Sequence, residues 1–196
     1  MTKLFLLPII LISLSSLGQS NDRNLNVSIW TPSGWFAGDK KLLQDNLTNY
    51  KFSKEELNRI ENDINASKVF SVYYKYDPKT HYGLVPTIKS YIRQNNTKNF
   101  ETFFILIRNE IEKVKSQVLN FEYIETPKTI IVAQKKAFYA FLTYNLKVNT
   151  GELATIRTKF IAIPIGKTYL YVTLIDNKDE NCSDDYEKVI SKIKIE

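Results

Sequence analysis

The sequence predicts an α+β fold in which an antiparallel β-sheet packs against helices. Three observations support this class. Apolar residues alternate along most of residues 137–175, as in strands that bury one face. Turn residues interrupt that stretch at 149–152 (NTGE) and at 164–167 (PIGK), which predicts a meander of three antiparallel strands. An amphipathic helical pattern over 100–119 precedes the meander and supplies a helix to cover it.

One face of the predicted meander is apolar. Its even-numbered side chains are apolar or aromatic except for Thr158, so we predict that they are buried beneath the 100–119 helix. These positions are Phe138, Ala140, Leu142, Tyr144, Leu146, Val148, Ala154, Ile156, Phe160, Ala162, Leu170, Val172 and Leu174.

The odd-numbered face of the meander is mixed in polarity. Either a helix covers part of it or a partner protein binds there, and partial helix cover is favoured because layered folds commonly cover both faces of a sheet. Tyrosine and arginine contribute most to protein interfaces, so aromatic and basic residues on this face are the candidate binding residues. They are Tyr139, Phe141, Arg157, Lys159, Tyr169 and Tyr171.

Residues 1–18 have the pattern of a secretory signal peptide. A basic start at Lys3 is followed by an apolar run, and the small residues Ser16 and Gly18 place the cleavage site after Gly18. The run of about 14 residues would form a helix of about 21 Å, shorter than the roughly 30 Å hydrocarbon core of a bilayer. No cysteine follows it to carry a lipid. We therefore expect no transmembrane anchor and a single domain over 19–196, in the periplasm or outside the cell.

Charge and cysteine content narrow the function classes. The net charge is +6 and the basic residues are scattered, without a basic helix or stacking motif, so the sequence does not indicate a nucleic-acid-binding protein. Cys182 is the single cysteine, which excludes an internal disulfide. We expect it to be a semi-buried thiol at the start of a helix.

The amino-terminal third of the chain contains one strand, one turn and one helix. A short strand is predicted over 25–30, followed by a turn at 31–34. Trp30 and Trp35 flank this turn and are expected to seal an edge of the core. A helix is predicted over 52–65, where Ser53 and Glu56 form a capping box.

The remaining elements follow from periodicity and capping. Strands are predicted over 69–76 and 84–93, and Asn99 is the expected N-cap of the 100–119 helix. Two short strands, 120–126 and 128–134, are expected to be separated by Pro127. The chain closes with a helix that has Ser183 as its N-cap and an apolar stripe of Tyr186, Val189, Ile190 and Ile193.

The order of these elements over residues 25–195 resembles the PsbP/Mog-type fold, including a Pro-x-Gly-Trp turn at 32–35. In that family an antiparallel sheet is sandwiched between helices. Its members include an extrinsic subunit of the oxygen-evolving complex, a Ran-binding protein, bacterial lipoproteins and secretion chaperones, and they share no common reaction. The resemblance implies an accessory, protein-binding role and supplies no active-site residue. The sequence departs from the family in lacking a lipoprotein cysteine and in its long Asn/Lys-rich segment at 37–67.

Few patterns in the sequence indicate chemistry. His81 is the single histidine, so a multi-histidine metal site is excluded, and no Gly-x-Ser-x-Gly motif is present. The acidic run at 176–187 lacks the spacing of a calcium loop, and we expect it to be a solvated loop that leads into a helix. No glycine-rich phosphate loop indicates a nucleotide cofactor.

The sequence thus predicts a secreted or periplasmic, non-enzymatic module that binds another envelope or secreted protein, with no cofactor and no metal. The alternative function is that of a small hydrolase or lipid-handling enzyme with a pocket near His81. An enzyme would need several convergent groups in a cleft, and the sequence identifies only one titratable loop beside tyrosines.

Overall fold

The computed structural model describes residues 26–39, 68–81, 84–115, 118–147 and 151–196, together with positions 41, 42, 54 and 58. The predicted signal peptide at 1–18 lies outside the described residues. So does the predicted helix at 52–65, apart from positions 54 and 58, which are helical. None of the described helices is long and apolar enough to span a membrane.

The described residues form strands β1 to β9 and helices α1 and α2. In chain order they are β1 (Val27–Ser28), β2 (Phe36–Gly38), β3 (Lys68–Tyr74), β4 (Thr87–Gln94), α1 (Phe100–Lys115), β5 (Leu119–Val132), β6 (Lys135–Lys147), β7 (Leu153–Ile165), β8 (Thr168–Asn177), α2 (Ser183–Ser191) and β9 (Lys194–Ile195).

Within the described residues, seven strands form one antiparallel sheet in the order β2-β3-β4-β8-β7-β6-β5, and β1 pairs separately with β9. Helix α1 packs over β5, β6 and β7 on one face of the large sheet. Helix α2 shares a core with the other face. An antiparallel sheet therefore lies between helices, and the predicted fold class is confirmed.

Each face of the sheet has its own core. On the α1 face, Phe103, Ile107 and Ile111 of α1 pack in a cluster that includes Phe138 and Phe160 of the sheet. On the α2 face, Tyr186 and Val189 of the helix pack in a cluster that includes Leu170, Val172 and Leu174 of β8. The odd-numbered face of β6 and β7 is thus covered in part by a helix, as favoured from the sequence.

The predicted single face of even-numbered residues is correct for β6 and β7 and wrong for β8. The β6–β7 register pairs residues of equal parity, such as Phe138 with Ala162. The β7–β8 hairpin has a two-residue loop, Gly166 and Lys167, so residues of opposite parity are opposed. Gly166 has a φ of 59°, which two-residue hairpin turns require at their first loop position. Val172 is therefore buried on the α2 face and not beneath α1.

Two further boundaries differ from the sequence prediction. The two short strands expected around Pro127 form one strand, β5, because a register shift between Glu125 and Lys128 accommodates the proline at the edge of the sheet. Helix α2 begins at Ser183, with Cys182 as its N-cap and no side-chain capping bond, so the predicted Ser183 cap is wrong.

The other helix cap is as predicted. Asn99 precedes α1, and its Oδ1 accepts a hydrogen bond of 2.9 Å from the backbone N–H of Thr102. The helix ends at Lys115, and Leu119 belongs to β5. Trp35 and Trp30 are half-buried against the α2-side core, where Trp35 meets Tyr186 with 6.2 Å between ring centroids.

The β5–β6 turn stores backbone strain. Its two loop residues, Ala133 and Gln134, have φ values of 47° and 61°, a conformation that non-glycine residues adopt at a cost of about 1 kcal/mol. We expect Gln134→Gly to raise the free energy of unfolding by about 1 kcal/mol, measured by urea denaturation. Gln134→Ala is the control and should give no such gain. A glycine variant no more stable than the alanine variant would contradict this prediction.

Candidate functional site

The structure divides the six candidate binding residues between the two faces of the sheet. Tyr139, Phe141, Arg157 and Lys159 lie on the α2 face, while the other two lie on the α1 face, as the register places them. The expectation that all six share one face is wrong, because the two-residue loop after β7 reverses the parity of β8. Tyr169 and Tyr171 are each 1% exposed and cannot form part of an open surface.

The four α2-face residues hold a network of charges. Arg157 donates two hydrogen bonds of 2.8 Å to the carboxylate of Asp176, and a third of 3.0 Å to Asn181. Lys159 pairs with Glu187 of α2. Because these cations are already paired, the network fixes the loop before α2 and α2 itself against the sheet.

Aromatic rings complete this network. The Lys159 ammonium lies 5.2 Å from the ring centroid of Phe141, a distance at which a cation is attracted to the ring face. Tyr139 donates a hydrogen bond of 3.0 Å to Glu125, and Lys128 pairs with the same carboxylate. Tyr139 and Lys159 are buried, so the accessible part of the group is Phe141 and Arg157, both half-buried.

Part of the α2 face of β6 and β7 is only half-buried. Register places five half-buried residues side by side on neighbouring strands of this face. We call them the partner strip: Phe141, Thr143, Asn145, Thr155 and Arg157.

The α1 face holds a second polar group, which we call the tyrosine cluster: Tyr91, Arg93, Glu110, Tyr169 and Tyr171. The Arg93 guanidinium lies 5.8 Å from the ring centroid of Tyr91 and 5.6 Å from that of Tyr171. The Tyr169 and Tyr171 rings meet edge to face, with 6.4 Å between centroids. Strands β4 and β8 supply four of these residues, and α1 supplies Glu110.

Glu110 is the least satisfied group of the tyrosine cluster. It is 1% exposed, and neither carboxylate oxygen has a hydrogen-bond partner among the described residues. Burial raises the pKa of Glu110 to about 7, although the charge of Arg93 opposes this shift. The buried hydroxyl of Tyr171 also has no hydrogen-bond partner in the described part of the chain. Unsatisfied buried groups with a perturbed pKa are typical of binding and catalytic sites.

Strand β4 brings one more cation to the same face. Register opposes Lys89 to Val72 of β3 and to Thr173 of β8, which places it on the α1 face, two residues before Tyr91. Lys89 is 9% exposed, and burial lowers its pKa to about 8.

Sequence reasoning missed the β4 residues and Glu110 because their polarity is typical of solvent-facing positions. Thr87, Lys89, Tyr91 and Arg93 alternate with Ile88, Ser90 and Ile92, and such a polar face normally indicates a strand with one face in water. Glu110 offered a usable signal, since it lies within the buried stripe of α1 between Ile107 and Ile111.

Among the described residues around His81, no nucleophilic side chain is paired with a base. His81 stacks on Tyr76 with 4.7 Å between ring centroids, and Tyr76 donates a hydrogen bond to Glu180. Lys75 pairs with the same carboxylate at 3.0 Å, and its ammonium lies 3.6 Å from the sulfur of Cys182. Burial raises the pKa of the Cys182 thiol to about 11, so it is protonated and a poor nucleophile at neutral pH.

The acidic run before and within α2 is partly engaged by cations. Arg157 binds the carboxylate of Asp176, and Lys75 binds that of Glu180. Over the part of the chain that is described, no three metal-ligating side chains come together.

Comparisons with known proteins give a fold and no family. No family model matches the sequence, and no curated protein does. The crystal structure of LpqN, described as involved in cell envelope biogenesis of Mycobacterium tuberculosis, is similar with a TM-score of 0.52 and 14% identity, over 90% of this chain and 87% of LpqN.

Two further solved structures are similar at lower TM-scores. Cyanobacterial PsbP (CyanoP) from Synechocystis sp. PCC 6803 gives a TM-score of 0.49 at 11% identity, over 93% of this chain and 99% of that one. PA94 from Pseudomonas aeruginosa, a protein of unknown function and putative regulator, gives 0.42 at 13% identity, over 58% and 74%. The chain thus shares its fold with LpqN, and its sheet between helices is the architecture that the PsbP/Mog-type resemblance predicts.

Proposed function

We propose that this chain is a non-enzymatic accessory protein of the cell envelope or extracellular space, and that it binds a partner protein through the partner strip. The observation that carries the proposal is the incomplete cover of the α2 face. Helix α2 buries Tyr139 and Lys159, while Phe141 and its neighbours on β6 and β7 stay half-buried. A flat surface with an aromatic ring, an arginine and hydrogen-bonding side chains suits a protein partner.

The setting of the proposal comes from the sequence and from one solved structure. The predicted signal peptide directs the chain out of the cytoplasm. LpqN, which shares the fold, is described as involved in cell envelope biogenesis. A non-enzymatic role is proposed because the groups near His81 include a protonated thiol and no activated nucleophile among the described residues.

Insertion of a bulky charge into the partner strip tests the proposal. Thr155 is half-buried within the strip, opposite Asn145, so Thr155→Arg is expected to weaken capture of the partner by at least about tenfold, because the new side chain obstructs the interface. Capture is measured by cross-linking and pull-down from the envelope fraction of the native host.

The matched control is Thr129→Arg. Thr129 is an exposed threonine on β5, and its pairing with Phe138 places it on the opposite face of the sheet. It should leave capture unchanged. Equal capture by the wild type and by Thr155→Arg would rule out the strip as the binding surface.

A further inference from the structure

Strand β5 is an edge of the seven-stranded sheet, since among the described residues it pairs with β6 alone. Its pairing with β6 shifts register three times between Leu119 and Lys128, and Pro127 has no backbone N–H. Register shifts and proline hinder the pairing of an edge strand with another chain. From 128 to 132 the register is regular. This segment, which we call the regular edge, therefore lacks that protection.

The regular edge is exposed and has the composition of a strand. Four of its five residues are β-branched, which favours an extended backbone. Ile131 is 67% exposed, the largest value for any bulky apolar side chain in the described part of the chain. Lys128 and Thr129 are also exposed. An accessible, regular and apolar edge is a template for the addition of a further strand.

Two residues of the regular edge direct their backbone groups away from β6. In a hairpin with a two-residue loop, the residues that flank the loop form a hydrogen-bonded pair, and here these are Val132 and Lys135. Hydrogen-bonded and non-hydrogen-bonded pairs alternate along an antiparallel ladder. Thr129 and Ile131 therefore occupy non-hydrogen-bonded positions. Their N–H and C=O groups point to the outer side of β5 and can bind a further strand.

The regular edge is complementary to itself in the antiparallel direction. If Thr129 lies opposite Ile131 of a second copy, a two-fold axis passes beside Ile130, and both Thr129–Ile131 pairs exchange two backbone hydrogen bonds. A shift by two residues in one direction would oppose Ile131 to Pro127, which has no N–H to donate. A shift in the other direction would oppose Thr129 to the loop residue Ala133. The symmetric alignment thus forms the most hydrogen bonds.

Charges match in the same alignment. Lys135 and Lys136 are exposed beside the hairpin loop. Glu122, which is exposed, and Glu125, which is half-buried, lie on the other side of the regular edge, toward the start of β5. An antiparallel arrangement brings the basic hairpin end of each copy toward the acidic part of β5 in the other. Opposite charges so placed favour this orientation of the two strands.

Apolar contacts on the α1 face add to the strand pairing. Thr129 is opposite Phe138 of β6, and Phe104 of α1 lies over Phe138 with 4.9 Å between ring centroids. Phe104 is half-buried. A second copy that pairs in this alignment places its Ile131 beside Thr129, toward the exposed margin of Phe104. Ile131 would then lose contact with water, which favours association.

We propose that the regular edge is a self-association surface, at which two copies of this chain pair antiparallel with Thr129 of each opposite Ile131 of the other, so that the two sheets become one continuous sheet. The partner strip lies on β6 and β7. The inference therefore does not rest on the proposed partner binding.

Disulfide cross-linking tests the alignment. Ile130 lies opposite Ile130 of the second copy in a non-hydrogen-bonded pair, where the Cα atoms are about 4.5 Å apart, a distance that a disulfide can span. Ile130→Cys is expected to form a covalent dimer under mild oxidation. Glu122→Cys, at an exposed position of the same strand outside the regular edge, is the matched control and should stay uncross-linked. The wild type, whose Cys182 is buried, should also stay uncross-linked.

Sedimentation velocity measures the association itself. The wild type is expected to be dimeric at a protein concentration of about 100 µM, and Ile131→Lys should weaken the dimer at least about tenfold, because a lysine on an edge strand disfavours pairing. Leu153→Lys, at an exposed leucine near the opposite end of the sheet, is the matched control and should stay dimeric. Both substitutions replace exposed side chains, and circular dichroism should show the wild-type fold in each.

Three outcomes would overturn the proposal. They are a monomeric wild type at that concentration, a folded Ile131→Lys that associates like the wild type, and equal cross-linking of Glu122→Cys and Ile130→Cys. The second of these would show that the copies associate through another surface, and the third that the disulfides form by random collision.

Discussion

Replacement of Glu110 by glutamine is expected to stabilise the protein at pH 8 by up to about 3 kcal/mol and to remove most of its pH dependence between pH 5 and pH 8. The carboxyl is 1% exposed, no described residue forms a hydrogen bond with it, and burial raises its pKa from 4.5 to about 7. The folded state therefore binds the proton more tightly than the unfolded state. This contribution to stability is fully present below about pH 4.5 and is lost as the pH rises through 7.

Urea denaturation at pH 5, 6, 7 and 8 measures this effect. The wild type should lose stability steadily over that range, while Glu110→Gln should stay nearly level, because glutamine is neutral throughout. Glu112 lies two residues further along the same helix, where it is half-buried and accepts a hydrogen bond from Tyr123. Glu112→Gln is the control and should leave the slope in place. A level wild-type profile would contradict the prediction.

Removal of the Arg157 side-chain charge is expected to have the largest destabilising effect on the α2 face. Asp176 is 2% exposed, and Arg157 donates two hydrogen bonds of 2.8 Å to it. Arg157→Met leaves that carboxylate buried with the backbone N–H of Cys182 as its remaining partner. Loss of one partner of a buried ion pair typically costs about 3–5 kcal/mol.

Two comparison variants make the measurement of Arg157→Met specific. The double variant Arg157→Met, Asp176→Asn should recover part of the loss, because no buried charge is then left unpaired. Lys128→Met breaks the exposed pair with Glu125 and should cost no more than about 1 kcal/mol. Similar losses in Arg157→Met and Lys128→Met, measured by chemical denaturation, would show that leaving the Asp176 carboxylate without its arginine has no extra cost from burial.

The elements with a periodic apolar pattern could be predicted from the sequence because local geometry determines that pattern. The α1 stripe, the Asn99 cap and the alternation along β6 and β7 each depend on residues close in sequence. The faces of β8 depend on a different fact, the number of loop residues between Ile165 and Thr168. A strand whose two faces are both apolar gives no parity signal of its own, so the length of the hairpin loop decided the orientation.

The candidate sites were less predictable for a similar reason. Lys89 and Arg93 lie at alternate positions of β4, a pattern that is normal for a strand with one wet face. Their burial depends on elements far away in sequence, including Glu110 of α1. Arg157 was predicted to be a binding residue, and its guanidinium is bound to Asp176 within the chain, a contact that sequence spacing alone does not show.

The β1–β9 pair brings the two ends of the described chain together. Val27 is opposite Ile195, the backbone N–H of Glu196 donates a hydrogen bond of 2.9 Å to the carbonyl of Asn26, and the Asn26 side chain donates another of 2.7 Å to the Glu196 carboxylate. A mechanical force that pulls Asn26 and Glu196 apart would break the hydrogen bonds of the β1–β9 pair one after another, before the force acted on the seven-stranded sheet. Val27 belongs to the α2-side core and Ile195 packs against it, so opening this pair exposes the margin of that core and leaves the α1-side core untouched.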